Sequence, residues 1–370
     1  MSSNFDILCF SWNAGGLRLC ETTLQSEADK PQTGFGAFFS PKEKCLASNF
    51  ITDIEDIITQ RNPSIVVIVT EEEAADYSFF HARALPSSLS KIKYSLVQRE
   101  QNYQISKHKL EHIVTGTPYD TALRMSIYAR NDAIGDLTIH EMDSDEITIF
   151  ARRSGALCAY IEHPIYGNFA FVAVALGAGN NPNLNNHTFR SMVKSINNLS
   201  LISIMKKFIL DIDPSYPLHH IFMMGDFNYS TIAPNEGNSY DLIDYLTTSS
   251  DSNINKLSTL RNYDELTLAL NDSINTPILS GFIEGVDGNG PLFMPSWKLR
   301  RERNKSCEED LQSCFNYYEP DEQDFGWHDR ILYKNLQPDH TITCIEYNSI
   351  DVKSMHRSDH ASIIGLFSIQ

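Results

Sequence analysis

The sequence lacks a long apolar run, closely paired cysteines and a basic charge excess. Its longest apolar run, FAFVAVAL at 169–176, is far too short to span a bilayer. The seven cysteines form no C-x-x-C pair, which argues against a zinc site or a disulfide framework and favours a reducing compartment. We therefore expect a cytoplasmic protein whose membrane contacts, if it makes any, are peripheral.

The charge balance is strongly acidic. With 47 Asp and Glu residues against 30 Lys and Arg residues, the formal net charge is −17. Nucleic-acid backbones are held by broad basic surfaces, so we expect no nucleic-acid partner. An anionic substrate needs a local basic patch instead. The segment KLRRERNK at 298–305, with five cations and one glutamate, is the candidate for it, although such runs are also common in solvated loops.

Short apolar runs and one amphipathic run indicate the fold class. FDILCFSW and SIVVIVT read as strands, and between them EKCLASNFITDIEDIITQ places five apolar residues at helical spacing: Leu46, Phe50, Ile54, Ile57 and Ile58. Further helices are predicted near 187–210 and 241–246. Many strands with few helices predict an α/β (α+β) fold in which two facing sheets are covered by helices, in a single domain spanning 1–370.

Polar side chains end one of the strand-like runs. IFMMG is followed by Asp226 and Asn228, which lie two residues apart and therefore point to one side of a strand. A carboxylate and an amide placed in this way can orient a water molecule. Taken alone, the pair is more often a turn, because Asp and Asn are common turn residues.

Five other stretches also end apolar segments in polar groups suited to phosphoester chemistry. They are SWNAGG at 11–16, VTEEE at 69–73, MPSWK at 294–298, WHDRIL at 327–332 and RSDH at 357–360. In this order, together with GDFN, they resemble the magnesium-dependent inositol polyphosphate 5-phosphatases of the endonuclease/exonuclease/phosphatase superfamily, which also contains DNase I. The resemblance covers nearly the whole chain and implies a DNase I-like four-layer sandwich, with two mixed sheets flanked by helices.

The resemblance also implies a metal site. Glu72 would be the main Mg²⁺ ligand with support from Asn13, and Asp359 would bind the metal or orient its loop. Glu72 is chosen over Glu71 and Glu73 because PSIVVIVTEE matches a family strand that ends in Gln-Glu. A shift of one residue in this alignment is left open.

The same resemblance implies the catalytic roles. Asp226 would activate the attacking water, and Asn228 would hold the phosphate or that water. His360 would contact the phosphate, while Asp329 accepts the hydrogen bond from its other ring nitrogen and stabilises the cationic form.

Five residues make up the implied substrate-binding set: Lys298, Arg330, Arg153, Asn186 and Tyr229. Lys298 matches a family lysine and is assigned to a second ring phosphate. Arg330 has an alternative assignment, in which it holds the active-site loop through a structural ion pair.

One departure from the family pattern affects the expected activity. Where the family reads F-V-N-S-H-L-A-A-G, this chain reads FVAVALGAG, so Ala173 and Ala175 replace an asparagine and a histidine. Loss of one such electrostatic contact commonly costs ~10²–10³ in rate. His328, which replaces a family cysteine, and Asn186 are the candidates to fill the gap beside Ala175.

The leading hypothesis is a Mg²⁺-dependent phosphatase that removes the 5-phosphate from inositol polyphosphates or phosphoinositides. A nuclease-like phosphodiesterase of the same superfamily is one alternative. A non-catalytic phosphoinositide-binding module, motivated by Ala173 and Ala175, is the other.

Overall fold

Apolar runs with period-two alternation form most of the regular structure. The computed structural model describes residues 5–15, 49–74, 85–97, 108–111, 120–149, 152–177, 187–211, 216–231, 248–274, 276–297, 299–300, 318, 326–338, 340–356 and 358–370. The strands within these ranges are β1 Phe5–Asn13, β2 Ile65–Ala74, β3 Tyr94–Leu96, β4 His108–Glu111, β5 Asp120–Arg130, β6 Thr138–Ile149, β7 Arg152–His163, β8 Gly167–Ala175, β9 His220–Asp226, β10 Ile283–Glu284, β11 Asp329–Asn335, β12 Ile342–Ile350 and β13 Ser362–Ile369.

The strands form two sheets. The first has seven strands in the order β12-β13-β1-β2-β5-β3, with β4 also paired to β5, and the second has six in the order β10-β11-β9-β8-β7-β6. Each sheet is mixed, because β1–β2 and β8–β9 are parallel while their neighbouring pairs, such as β1–β13 and β9–β11, are antiparallel. The predicted α+β architecture of two mixed sheets is confirmed.

Alternation along each strand separates two packing faces. Ile7 and Val67 of the first sheet and Phe171 of the second belong to one apolar cluster, which lies between the sheets. Their sequence neighbours Leu8 and Val66 belong to a different cluster, together with the helices over the first sheet. Because successive side chains point to opposite faces, each sheet has one face toward the other sheet and one face toward helices.

The helices are α1 Asn49–Arg61, α2 Leu85–Lys91, α3 His187–Met205, α4 Asn253–Arg261 and α5 Glu265–Asn271, and α3 continues into a π-helical turn at Lys206–Leu210. All but α4 pack on the outer faces, whereas α4 buries Leu257 and Leu260 in the cluster between the sheets. Helix α1 buries Phe50, Ile54 and Ile58 against the first sheet, and α3 buries Leu201 and Ile204 against the second. The predicted helices in the 43–60 and 187–210 regions are therefore present, while 43–48 and 241–246 lie outside the described residues.

The strand ends that carry polar residues meet at one edge. Asn13 is the register partner of Glu71 across β1–β2, and Asp226 is the partner of both Ala175 in β8 and Asp329 in β11. Four strand ends, those of β1, β2, β9 and β11, therefore present polar groups at paired positions. Within the described part of the chain, no helix is long and apolar enough to cross a membrane.

The close packing of β9 against β8 next to this edge requires a glycine. Gly225, which precedes Asp226, has φ of +140°, and a Cβ there would lie 1.9 Å from the Val174 carbonyl oxygen. We predict that Gly225→Ala lowers the free energy of unfolding by ~3 kcal/mol or more, because strain and overlap with backbone add. Chemical denaturation measures this.

Gly135→Ala is the matched control, because a Cβ at Gly135 meets nothing within 4 Å. A Gly225→Ala protein as stable as the control would contradict the β8–β9 geometry.

Candidate active site

Hydrogen bonds from Asn13 join the two sheets at the polar edge. Its Nδ2 donates to Asp226 Oδ2 at 2.8 Å, and its backbone N–H donates to Asp329 Oδ1 at 3.3 Å. The other carboxylate oxygen of Asp226 accepts from the backbone N–H of Asn228 at 2.9 Å. Asn13 and Asp226 are 1 % and 3 % exposed, so these contacts are made away from bulk water.

His360 and Asp329 form a buried pair beside Asp226. His360 Nδ1 lies 2.7 Å from Asp329 Oδ2, which also accepts a hydrogen bond from Ser296 Oγ at 2.9 Å. Burial by itself disfavours the imidazolium, but the charge and hydrogen bond of Asp329 together with Asp226 outweigh it and raise the His360 pKa to about 10. His360 is therefore cationic at neutral pH, and its Nε2 is available to an anionic ligand.

Crowding of carboxylates changes the acidity of Asp226. Burial and then the neighbouring charge of Asp329 raise its pKa to about 7, with a further rise from Glu72, while His360 and the Asn13 hydrogen bond act in the opposite direction. A carboxylate with a pKa near the working pH is suited to accept a proton from water.

Glu71 is a site residue that sequence reasoning passed over. It is fully buried, its Oε1 accepts a hydrogen bond from Ser11 Oγ at 2.8 Å, and its Oε2 has no hydrogen-bond partner. Burial and the charge of Asp329 hold its pKa well above the ordinary value. A buried carboxylate oxygen without a partner is costly unless a ligand satisfies it.

A β-bulge explains why both glutamates reach the site. The β2–β5 register shifts between Thr70 and Glu73, and Glu72 has φ of +48°. Regular alternation would send Glu71 and Glu72 to opposite faces, whereas the bulge breaks that rule. Glu72 lies close enough to Asp226 to raise its pKa, as a residue predicted for the site should.

The residues at the edge fit a hard divalent cation. Among the described residues, no three His, Cys, Asp or Glu side chains are grouped so as to hold a metal ion. Mg²⁺, however, takes one or two carboxylates and keeps several waters, so Glu71 and Glu72 are a sufficient set. The amide of Asn13 is engaged on both sides, by Asp226 and by the Gly15 backbone N–H at 2.8 Å, and its observed contacts orient Asp226.

Comparison with known proteins identifies the family. The profile of endonuclease/exonuclease/phosphatase family 2 matches residues 10–366. The chain belongs to this family. Its members cleave phosphoesters, and the buried carboxylates and imidazolium of this family 2 protein are consistent with that chemistry. A search of curated proteins gives no match.

Solved structures share the fold at low sequence identity. The inositol polyphosphate 5-phosphatase domain of spsynaptojanin, in complex with inositol (1,4)-bisphosphate and calcium, has a TM-score of 0.58 and 15% identity over 99% of this chain and 84% of that chain. A Cimex nitrophorin, solved as a ferrous NO complex, has a TM-score of 0.56 and 13% identity over 100% of both chains. Because these two proteins bind different ligands at nearly equal similarity, the fold alone does not determine the function here.

The loop after β9 is held by helix α3 of this family 2 protein. Asn228 has φ of +51°, and its Nδ2 donates to the Leu176 carbonyl at 2.6 Å. Asn197 of α3 donates to the Asn228 carbonyl at 3.0 Å. Asn228 therefore holds Asp226 through its backbone and the β8 end through its side chain. Nothing in the sequence pattern indicated Asn197.

Two predicted substrate contacts need correction. Tyr229 is fully buried in the cluster between the second sheet and α3, and its hydroxyl donates to Asn198, so it does not face the site. Arg330 is also fully buried, with its guanidinium held by Asp264 at 3.0 Å and by Glu284. The structural ion pair is the correct alternative for Arg330, because no part of its side chain reaches solvent.

The remaining predicted residues divide into described and undescribed ones. Lys298 and Asn186 lie outside the described residues, and only the backbone of Arg153 is described, as the partner of Thr148 in β6. Asp359 lies beside the site: its charge contributes to the raised His360 pKa, and its carbonyl accepts from Leu299 N at 2.8 Å. It thus ties the segment after Trp297 to the site.

Ala173 and Ala175, which replace the asparagine and histidine of the family pattern, lie in β8 on the face that points toward the other sheet. Ala175 is the register partner of Asp226 and is 4 % exposed, and Ala173 is the partner of Met224. Both face the space between the sheets. His328, the proposed substitute for the missing imidazole, is buried and lies beside His360, with 6.1 Å between the ring centroids.

The His360–Asp329 pair leads to a test by NMR. In the metal-free protein, the His360 ring should titrate near pH 10, and in Asp329→Asn the midpoint should fall well below that value, because burial remains while the largest favourable charge is lost. Asp132→Asn, an exposed carboxylate paired with Arg130, is the control and should leave the midpoint unchanged. A wild-type midpoint near 6.5 would contradict the pairing.

The Arg330 network leads to a stability test. Arg330→Met should lower the free energy of unfolding by ~3–5 kcal/mol, because it leaves buried carboxylates unpaired. Arg61→Met, in the partly exposed Arg61–Glu346 pair, should cost ~1 kcal/mol or less. Urea denaturation measures both changes. Equal losses of unfolding free energy in the two variants would contradict a structural role for the Arg330 ion pairs.

Proposed function

We propose that this protein is a Mg²⁺-dependent phosphoester hydrolase that removes the 5-phosphate from inositol polyphosphates or phosphoinositides. The observation that carries the proposal is the pairing of a poised carboxylate with a buried imidazolium. Asp226 and the His360–Asp329 pair lie at the same sheet edge, fixed by Asn13. Phosphoester hydrolysis requires this combination of a proton acceptor for water and positive charge for the phosphoryl oxygens.

The protein groups have distinct parts in the reaction. Asp226 accepts a proton from the attacking water, whose oxygen forms the new bond to phosphorus as the ester P–O bond breaks. The electron pair of that bond stays on the leaving inositol oxygen, which then takes a proton from solvent water. His360 donates a hydrogen bond from Nε2 to a phosphoryl oxygen, and Asp329 and Ser296 hold its ring in place. The asparagine at position 13 keeps the Asp226 carboxylate oriented through its amide.

A divalent cation would be held by Glu71 and Glu72 and would neutralise charge on the phosphoryl and leaving oxygens. The unpartnered Oε2 of Glu71 is the specific support for a cation here. The excess of buried carboxylates over the single imidazolium supports it as well, because buried like charges require a counter-charge.

The assignment of inositol phosphates as the substrate class rests on sequence resemblance and on charge. The motifs MPSWK and WHDRIL belong to the phosphatase pattern, and the similar spsynaptojanin domain was solved with inositol (1,4)-bisphosphate. The basic segment 298–305 supplies cations in an otherwise acidic chain. We also propose a cytoplasmic location with peripheral membrane contact at most, since Cys9 and Cys344 are buried thiols outside any disulfide.

A phosphate-release panel tests the substrate class. Soluble inositol polyphosphates, phosphoinositide vesicles and single-stranded DNA are each assayed with Mg²⁺ and with EDTA. We expect Mg²⁺-dependent release from the inositol compounds. Cleavage of DNA alone would favour the nuclease-like alternative, and binding of phosphoinositide vesicles without turnover would favour the non-catalytic module suggested by Ala173 and Ala175.

A single substitution tests the role of Asp226 in activating water. Asp226→Asn should lower kcat by ~10²–10⁴-fold, because an amide of the same shape cannot take the proton. Asp132→Asn, on an exposed turn, is the control and should retain wild-type kcat. Wild-type turnover in Asp226→Asn would remove Asp226 from the mechanism.

A further inference from the structure

His328 is a buried histidine whose polar atoms are unsatisfied. The side chain is 4 % exposed, and neither Nδ1 nor Nε2 has a hydrogen-bond partner. Leaving a buried polar group unpaired is destabilising, so a native protein that keeps one usually has a ligand or a chemical use for it. His328 has no role in the mechanism proposed for Asp226 and His360.

The imidazole is fixed in place by its neighbours. It stacks on Trp297 with 4.2 Å between centroids and 19° between planes, and its backbone carbonyl accepts from Phe227 N at 2.8 Å. Trp297 is anchored by paired backbone bonds to Gly326. The ring therefore has a defined position, and its lack of partners does not come from a loose loop.

That position lies within the active site. His328 directly precedes Asp329, and its ring is 6.1 Å from the ring of His360 at an angle of 63°. The charges of His360 and Arg330 join burial in holding its pKa well below the ordinary value, so the ring is neutral. A neutral imidazole offers one N–H donor and one acceptor nitrogen.

We propose that His328 is a phosphate-binding residue of this site and that its ring N–H donates to a phosphate oxygen of the substrate. The inference builds on the proposed function but concerns only the phosphate group, which inorganic phosphate shares with every candidate ester. The ring nitrogens are shielded from solvent, so binding includes a change in the His328 or Trp297 side-chain conformation. Trp297 then reports on occupancy through its fluorescence.

The structure contains a matched control for this residue. His220, at the opposite end of β9, is also buried and stacked on an aromatic ring, Phe169, at 4.9 Å. Unlike His328, it has both nitrogens satisfied, by Asn335 Oδ1 and by the Tyr166 carbonyl, each at 3.1 Å. The two histidines therefore differ mainly in whether their polar atoms have partners.

The test compares phosphate affinity with stability. His328→Phe keeps a stacking ring but removes both nitrogens. We expect its Kd for inorganic phosphate, measured with Mg²⁺ present, to rise at least tenfold, while the thermal midpoint without phosphate stays equal or increases. His220→Phe should do the opposite, with a lower midpoint and an unchanged Kd, because it leaves the partners of His220 unpaired.

A conservative variant separates hydrogen bonding from packing. His328→Gln restores an N–H donor and should recover part of the phosphate affinity, whereas His328→Cys should not. If His328→Phe fails to fold, His328→Gln and His328→Cys still report the two affinities. Wild-type phosphate affinity in His328→Phe, or in both of the other variants, overturns the inference.

The readout also distinguishes this inference from the proposed function. If the wild-type protein hydrolyses no inositol phosphate but loses phosphate affinity in His328→Phe, the substrate proposal fails and the His328 inference stands. If wild-type protein releases phosphate from inositol phosphates and His328→Phe matches it in KM, kcat and phosphate-induced Trp297 fluorescence, the inference fails alone. A wild-type protein that binds no inorganic phosphate overturns it as well.

Discussion

The burial of several carboxylates at one sheet edge is the constraint on which the rest of the site depends. Glu71 and Asp329 are fully buried and Asp226 nearly so, and each of them would be unstable as an isolated anion. The protein compensates with hydroxyl, amide and imidazolium donors from Ser11, Asn13, Ser296 and His360. Of these contacts, Asn13–Asp226 and His360–Asp329 also connect the two sheets at this edge. The compensation is incomplete at Glu71 Oε2, which has no hydrogen-bond partner.

A second buried charge network lies on the other face of the same strand. Asp329 and Arg330 are consecutive, so alternation sends Asp329 to the site and Arg330 toward Asp264 and Glu284. The Arg330 network connects β11 to β10 and to the start of α5. These buried ion pairs fix the strand from which Asp329 projects toward His360.

The likeness to a phosphatase domain and to a nitrophorin shows how little the sandwich itself specifies. Both share this fold at TM-scores of 0.58 and 0.56, and chemistry differs with the side chains at the strand ends. In this chain the position beside Asp226 is an alanine, and a buried, unsatisfied imidazole lies instead near the next strand of the sheet. Asp226 and the His360–Asp329 pair therefore share this edge with an alanine and a buried imidazole.

The sequence alone indicated the two sheets and helix α1, because hydrophobic periodicity is a local property. It also marked Asp226 as a polar residue at the end of a strand, whereas Asp329 and His360 were predicted from motifs that resemble those of the phosphatases. Tertiary structure decided what local patterns cannot encode. A bulge brought Glu72 to the same site as Glu71, packing against α3 buried Tyr229, and ion pairs with distant carboxylates buried Arg330. Whether His328 has partners was likewise decided only by packing, because hydrogen-bond satisfaction depends on residues far apart in the chain.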